Sequence, residues 1–417
     1  MFCLYNDVIV GVDIGSSKVS TVIAKANKTG QMEFMGCGIA PCTGIKKGLI
    51  VDLEAVSKAV RASVSMAEKS ANMRVSAVYL GLPTSHALLV PSHGKVSFEG
   101  NMKEIAAEDV GRVLKDAKDF EIPYDRQVVD VIPHQYIIDG YDEIVDPTGM
   151  MGAIVEVDAD VVLGSAIATQ SLLKSVERAG YQVAGIIVEA IATSEVALSE
   201  EEKEIGALLV DIGGGKTDYS FYKNGRIRHY GSIPLGGEHI TNDMVLGLKI
   251  SYNEADRLKK QFPLSQKTLI NNDQSITIYS IGESKQKIIR ISDVVEIIEA
   301  RVDEILSMLN EKLIEAGVKD EIEAGVVLVG QGMYHIVGAK ERTESILGIS
   351  TRLVNPKLPA GLKLSFITSL GIIKYVAGMS LGQRDVEILN KEKTTEDNIN
   401  ETVEEGIITK FINFWKK

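Results

Sequence analysis

Asp13 and Asp211 stand where phosphate chemistry would need them. Asp13 closes the apolar run of VIVGVDIGSSKVSTVIAK, and Asp211 closes that of GALLVDIGGGKTDYSFYKNG. Each is followed by Ile-Gly, then by small or hydroxylated residues, then by a lysine. These are Gly15, Ser16, Ser17 and Lys18 in the first copy, and Gly213, Gly214, Gly215, Lys216 and Thr217 in the second. Glycines let a backbone approach an anion closely, and N–H groups and hydroxyls then donate to phosphate oxygens. A carboxylate at each strand end can hold Mg2+ through waters, because Mg2+ dehydrates reluctantly. One such turn alone reads as a plain tight turn. Two copies point to an internal duplication that closes on a phosphate-bearing ligand, with Asp13 and Asp211 on its metal.

The elements that present these residues are strands. In each copy a β-branched run leads into the turn and a second strand-like run leaves it, and Asn224-Gly225 is a hairpin signal. Gly215-Lys216-Thr217 invites a P-loop reading, which fails twice. Val210 stands where that motif needs its first Gly, and a strand rather than a helix follows. A third glycine turn, Gly330-Gln331-Gly332, ends the buried-strand pattern AGVVLV and could seat the nucleoside end of a nucleotide.

Composition bounds the rest. A chain of 417 residues is too long for one core, so two or more domains are expected. The net charge of −12 argues against broad nucleic-acid binding, which needs a basic face. The cysteines Cys3, Cys37 and Cys42 have no zinc spacing with the scattered histidines, and their scarcity suits a reducing cytoplasm. Asp7 and Asp13 interrupt the early apolar stretch, so no signal peptide is expected. No apolar run approaches the roughly 20 residues needed to span a bilayer.

The order phosphate turn, phosphate turn, nucleoside turn resembles the actin/Hsp70/sugar-kinase superfamily. Within it the chain is similar to the FtsA family of bacterial cell-division proteins. The resemblance runs through GIKKGLIVDLEAVSKAVRASV, VIPHQYIIDGYDEIVDPTGMMG, GSAIATQSLLKSVERAGYQV, LLVDIGGGKTDYSFYKNGRIRHYGSIPLGGEHITNDMVLGL and SLGIIKYV. It implies an α/β, two-domain actin-like fold (a duplicated ribonuclease-H-like unit) with a small α+β subdomain inserted in the first half. It also implies ATP as ligand with Mg2+, and at most slow hydrolysis. The implied protein polymerises on the cytoplasmic face of the membrane at the division site. There it tethers the FtsZ ring through the FtsZ C-terminal peptide and meets other division proteins.

Position by position, the resemblance puts Asp13, Gly15, Ser16, Ser17 and Lys18 in the first phosphate turn. Asp211, Gly213, Gly214, Gly215 and Thr217 fall in the second. Gly236, Gly237, His239 and Asn242 belong to the segment closing over the nucleotide. Asp256 and Lys259 match helix positions that reach the ribose or adenine, and Gly330, Gln331 and Gly332 form the nucleoside turn. Glu189 matches the acidic residue that faces the attacking water, and with Asp211 it makes the candidate catalytic pair. The chain departs from the pattern at four places. Lys216 stands for a usual Thr, with phosphate or solvent as its expected neighbour. Gln331 stands for Gly, Asp256 for Glu and Ala190 for Pro.

Domain one is expected at 1–83, 161–200 and 366–384, with the insert at 84–160 for assembly and partner contacts. Domain two is expected at 201–365, with a smaller helical piece at about 226–310. In that piece positions 294, 297, 298, 302, 305, 306 and 309 are apolar at helical spacing. Its implied role is to receive the acidic FtsZ peptide, with Arg290 and Arg301 as candidate carboxylate partners. Residues 385–405 hold eight acidic side chains against two lysines and read as a disordered linker. About 15 of its residues as coil would reach roughly 20 Å. Residues 406–417 read as an amphipathic helix for an anionic membrane. Ile407, Ile408, Phe411, Phe414 and Trp415 lie on one face, and Lys410, Asn413 and Lys417 on the other. One such short helix binds weakly, so several must act together, as in a filament. Two other readings stay open at this point: a small-molecule phosphotransferase of the same superfamily, and an actin-like subunit of a pilus or secretion assembly.

Overall fold

A computed structural model describes residues 8–27, 31–46, 48–98, 102–279, 286–381 and 388–390. The expected membrane helix at 406–417 and most of the 385–405 linker lie outside the described residues.

Domain one begins with a meander of β1 (Val8–Ile14), β2 (Lys18–Ala26) and β3 (Met32–Pro41), followed by the short hairpin β4 (Ile45–Lys46) and β5 (Leu49–Ile50). Helix α1 (Leu53–Ala71) starts at Asp52, whose carboxylate accepts from the Ala55 N–H at 3.0 Å. It buries Val56, Val60, Val64, Ala67 and Ala71 on one stripe and leads to β6 (Ala77–Leu82). The chain then leaves for the insert: β7 (Ala87–Ser97), β8 (Lys103–Glu104), α2 (Ala107–Asp116), β9 (Arg126–Ile138), β10 (Tyr141–Ile144), β11 (Met151–Gly152) and β12 (Ile154–Ser165). The insert's main sheet runs β10-β9-β12-β7. It has its own apolar core around Val113, Val155, Val157 and Val161. Domain one resumes with α3 (Ala166–Ala179), β13 (Gln182–Val188) and α4 (Glu189–Ala197), and α5 (Glu200–Ile205) connects to domain two.

Domain two repeats the plan. The meander is β14 (Ala207–Ile212), β15 (Thr217–Lys223) and β16 (Arg226–Ile233). Then come α6 (Gly237–Leu248), α7 (Tyr252–Gln261), the hairpin β17 (Ser275–Tyr279) and β18 (Gln286–Arg290), and α8 (Ile291–Glu315). The sheet closes with β19 (Gly325–Val329), α9 (Ala339–Leu347) and β20 (Thr351–Leu353). Finally α10 (Ile367–Leu381) returns to domain one, ahead of β21 (Ile388–Asn390). The two large sheets share one order. β3-β2-β1-β6-β13 in domain one corresponds to β16-β15-β14-β19-β20 in domain two, with the first three strands antiparallel and the rest parallel. The duplication suspected from two short turns is thus a duplication of whole domains.

Helix α10 presses on α4 so closely that a Cβ on Gly371 would lie 1.8 Å from the Ala192 carbonyl oxygen. This contact fixes the start of α4, where Glu189 sits. Across the hinge, the Tyr222 hydroxyl donates to Ala190 O at 3.0 Å, and Arg352 donates to Ala197 O at 2.7 Å.

The structure moves two expected boundaries. The helical piece of domain two does not start at 226, because β16 is an integral strand paired along β15 from Thr217↔Ile233 to Lys223↔Arg226. It starts with α6. Nor is the 385–405 stretch coil throughout, since Ile388–Asn390 adds in parallel to the edge of β3 at Met32–Phe34. An edge strand offers unpaired N–H and C=O groups, and this segment covers part of them. On α8 the predicted stripe is buried at Val294, Ile298, Val302, Ile305, Leu306 and Leu309, with Ile297 partly so.

Candidate nucleotide site

The two phosphate turns have one geometry. Gly15 N–H donates to Lys18 O at 2.9 Å, and Gly213 N–H donates to Lys216 O at the same distance. Each bond folds the chain back from the first strand of a meander into the second, and so lifts the aspartate to the cleft mouth. The turns face one another: a Cβ on Gly215 would lie 3.2 Å from Ser16 Oγ.

Domain two's turn is locked from behind by two other loops. Gly237 N–H donates to Gly213 O at 3.0 Å and Glu238 N–H to Gly214 O at 2.8 Å, while Gly332 N–H donates to Ile212 O at 2.7 Å. The packing leaves no room for side chains. A Cβ on Gly332 would lie 2.3 Å from Gly213 O, and one on Gly330, where φ is +86°, would lie 2.3 Å from Asp211 Oδ1. The glycine turn at 330–332 therefore positions the phosphate turn as well as shaping the cleft. His239 works in the same layer, its Nδ1 accepting from the Gly236 N–H at 3.1 Å.

The cleft between the domains is open to solvent and lined from both sides. Its walls include Asp13, Gly15, Ser16, Ser17, Lys18, Glu189, Asp211, Gly213, Gly214, Gly215, Lys216, Gly330 and Gln331. Thus three turns and the start of α4, separate in sequence, meet in one cavity. The remaining expected residues do not line it. Gly236, Gly237 and Gly332 form the backing layer just described. Lys259 donates to Gly237 O at 2.9 Å and to Thr241 Oγ1 at 2.6 Å, and Asp256 pairs with Lys260 at 2.5 Å.

Two side chains differ from expectation. Thr217 is fully buried and its hydroxyl donates to Leu235 O at 2.8 Å, so it points into domain two and not toward a phosphate. Lys216 lines the cleft, and its ammonium lies 3.1 Å from Glu189 Oε2 and 2.5 Å from Asp218 Oδ2, on an anionic floor. Asp218 is a site residue that sequence reasoning missed. Its signal was the alternation Lys216, Asp218 at the head of β15, which puts both on one face. Ser20 was missed too: its hydroxyl lies 3.4 Å from Asp13 Oδ2 and shares a 2.7 Å hydrogen bond with Ser369 of α10.

Charge in the floor is strongly perturbed. Burial pushes Asp13 up to about 6, with Lys18 opposing and Asp211 adding. Burial pushes Asp211 up to about 7, helped by Asp218 and Glu189. Glu189 also rises to about 7 through burial, opposed by Lys216. For Lys216 burial disfavours the charge, but Asp218 and Glu189 outweigh it and hold the ammonium well above its usual value. Lys18 is lowered by burial and donates to Gln331 Oε1 at 2.9 Å, tying the first phosphate turn to the nucleoside turn. Two half-buried aspartates with raised proton affinity, beside anion-binding turns, suit a cation near them. Among the described residues no group of three or more His, Cys, Asp or Glu side chains is arranged to hold a metal ion.

Comparison with known proteins fits this geometry. Residues 208–371 match the family described as cell division protein FtsA, and residues 84–163 match the SHS2 domain inserted in FtsA. The chain is 33% identical over 370 residues to the cell division protein FtsA of Bacillus subtilis (strain 168), covering 89% of this chain and 83% of that one. The chain belongs to the FtsA family. The FtsA of Pseudomonas aeruginosa is 32% identical over 372 residues, covering 88% of each chain. Among solved structures, the PilM–PilN type IV pilus biogenesis complex gives a TM-score of 0.59 at 15% identity, over 87% of this chain and 97% of that one. MreB5 of Spiroplasma citri bound to ADP gives 0.53 at 16% identity, over 90% and 95%. At such identities these likenesses show the actin-like fold alone. The SHS2 match at 84–163 falls on the insert. The cell-division family is set by sequence, and the actin-like architecture by the likeness to solved structures.

Proposed function

We propose that this chain binds ATP with Mg2+ in the cleft, assembles into filaments on the cytoplasmic face of the membrane at the division site, and tethers FtsZ there. The observation that carries the reading is the meeting of two like-built phosphate turns across one cleft, with a half-buried aspartate behind each. Two half-sites on separate domains make the ligand part of the domain contact. Nucleotide then acts first as a conformational and assembly ligand. Asp13 and Asp211 would hold the hydrated ion. Backbone N–H groups and hydroxyls of Gly15, Ser16, Ser17, Gly213, Gly214 and Gly215, with Lys18, would hold the phosphates. The MreB5 relative in fold was solved with ADP, which supports a nucleotide in this position.

The membrane attachment rests on residues 406–417, which carry Ile407, Ile408, Phe411, Phe414 and Trp415 beside lysines. Full burial of one such side chain is worth about 1.5–3 kcal/mol, and each lysine near an anionic leaflet adds about 1 kcal/mol. Monomers would detach and filaments would hold. For the FtsZ peptide Arg290 is the better-placed candidate. Its side chain is 65% exposed, with only a 3.8 Å ion pair to Asp273. Arg301 is engaged within the domain: it grips Asp243 at 2.7 and 2.9 Å and Glu304 at 2.5 Å, so an acidic peptide would have to displace both.

The test is vesicle co-sedimentation with ATP and Mg2+, using the full chain and a version ending at Glu405, followed by electron microscopy of the pellet. Filaments on vesicles with the full chain only would support the reading. Both versions remaining in the supernatant without filaments would overturn it.

A further inference from the structure

The floor of the cleft holds an ion-paired triad that the proposed binding of nucleotide does not use. Lys216 arrives on the second phosphate turn from domain two, and Glu189 is the first residue of α4 in domain one. Lys216 Nζ lies 3.1 Å from Glu189 Oε2 and 2.5 Å from Asp218 Oδ2. The side chains of Lys216, Glu189 and Asp218 are only 21%, 14% and 10% exposed, so solvent screens these pairs little. Beside them lies a small pocket of about 10 Å³, space for about one water, lined by Thr84, Thr193, Ser220, Glu189, Asp211 and Asp218. Asp218 Oδ1 is buried and has no hydrogen-bond partner among the described residues. The floor therefore has acceptors for a water next to Glu189, while the Glu189 carboxylate itself is held by an ammonium.

Resting on the nucleotide reading above, we propose that Lys216 is a positioning residue that restrains Glu189, so that this cleft holds ATP and hydrolyses it slowly. In hydrolysis a water oxygen bonds to the γ-phosphorus and the bond from that phosphorus to the β–γ bridging oxygen breaks. ADP leaves with the bridging oxygen, and the water's proton passes to a carboxylate oxygen of Glu189 and on to solvent. Such a base needs a free oxygen within hydrogen-bond reach of the water. Lys216 draws Oε2 toward Asp218 and occupies it with an ion pair. The charged groups facing Glu189 are Asp13 from β1, Asp211 from β14, Lys216 from the second phosphate turn and Asp218 from β15. Of these only Lys216 is cationic.

The experiment measures single-turnover phosphate release with ATP and Mg2+ at pH 9, alongside ATP affinity by calorimetry. The alkaline pH keeps a buried Glu189 ionised once its lysine is gone. The variants are Lys216→Thr, Lys216→Thr combined with Asp218→Asn, and Lys216→Arg. The double variant removes one anion with the cation, which protects folding. Both threonine variants are expected to release phosphate roughly tenfold faster or more, a fraction of what a positioned base contributes. The affinity measurement separates a change in hydrolysis from a change in binding, and Lys216→Arg should return the slow rate. Unchanged release in both threonine variants that still bind ATP would overturn the proposal. So would a loss of ATP affinity in both that Lys216→Arg restores, because the ammonium would then be a phosphate contact. Failure of the unaltered chain to bind ATP would instead overturn the nucleotide reading itself.

Discussion

Asp211→Asn should stabilise the ligand-free protein and abolish its response to nucleotide. In the fold the Asp211 carboxyl is raised from 3.8 to about 7, chiefly by burial. Each tenfold change in proton affinity is worth about 1.4 kcal/mol, so ionised Asp211 costs the folded state about 4 kcal/mol at most. The sign follows from proton binding. The folded state holds this proton more tightly than the unfolded chain does, so stability falls as pH rises from about 4 to about 7 and is flat above. Asparagine removes the charge but still needs buried hydrogen bonds, at a cost of about 1–3 kcal/mol. At pH 8 the variant is therefore expected to be more stable by about 1–3 kcal/mol. At pH 5, where folded Asp211 is protonated, that advantage shrinks by roughly 3 kcal/mol and vanishes or reverses. The assay is thermal unfolding of both proteins at pH 5 and pH 8, each with and without ATP and Mg2+. Nucleotide should raise the melting temperature of the unaltered chain and leave the variant where it was. A variant equally destabilised at both pH values, and still stabilised by nucleotide, would refute both the buried-charge account and the role of Asp211 in the site.

Gly332→Ala places a Cβ 2.3 Å from Gly213 O, a clash worth about 1–3 kcal/mol, and should weaken ATP binding roughly tenfold without unfolding domain two. Unchanged affinity by calorimetry would show that the 330–332 loop does not set the phosphate turn. Trp415→Glu should leave the fold intact by circular dichroism and release the protein from anionic vesicles; retained binding would place the anchor elsewhere. Arg290→Glu should weaken binding of an acidic FtsZ tail peptide in a fluorescence titration, and no change there would leave Arg290 a bystander. Arg301→Glu should mainly lower the melting temperature, because it faces Asp243 and Glu304 with a third carboxylate. Loss of peptide affinity with unchanged melting would instead make Arg301 a direct contact.

Much of the fold was legible because local rules and global architecture agree. The β-branched runs before Asp13 and Asp211, the Asn224-Gly225 turn and the apolar stripe of α8 each follow from short-range sterics or from one buried face. The boundary at 226 was misplaced because an edge strand with polar residues such as Arg226, Arg228 and His229 looks like a connection. The short strand Ile388–Asn390 was hidden by its acidic surroundings, since a parallel edge pairing leaves almost no local pattern.

At the site, the sequence by itself determined which turns could bind phosphate, since two Asp-Ile-Gly segments carry the glycines, hydroxyls and carboxylates that this chemistry requires. It also determined the family, through segments spread along the chain. Only the tertiary structure decided where the charges go. Lys216 turns to Glu189 and Asp218, Thr217 turns to Leu235, and Arg301 turns to Asp243. Backbone turns are made by neighbours in sequence and can be read there. A buried ion pair is chosen among partners that only the packed domains bring together, Glu189 and Lys216 lying in different domains on opposite walls of one cleft.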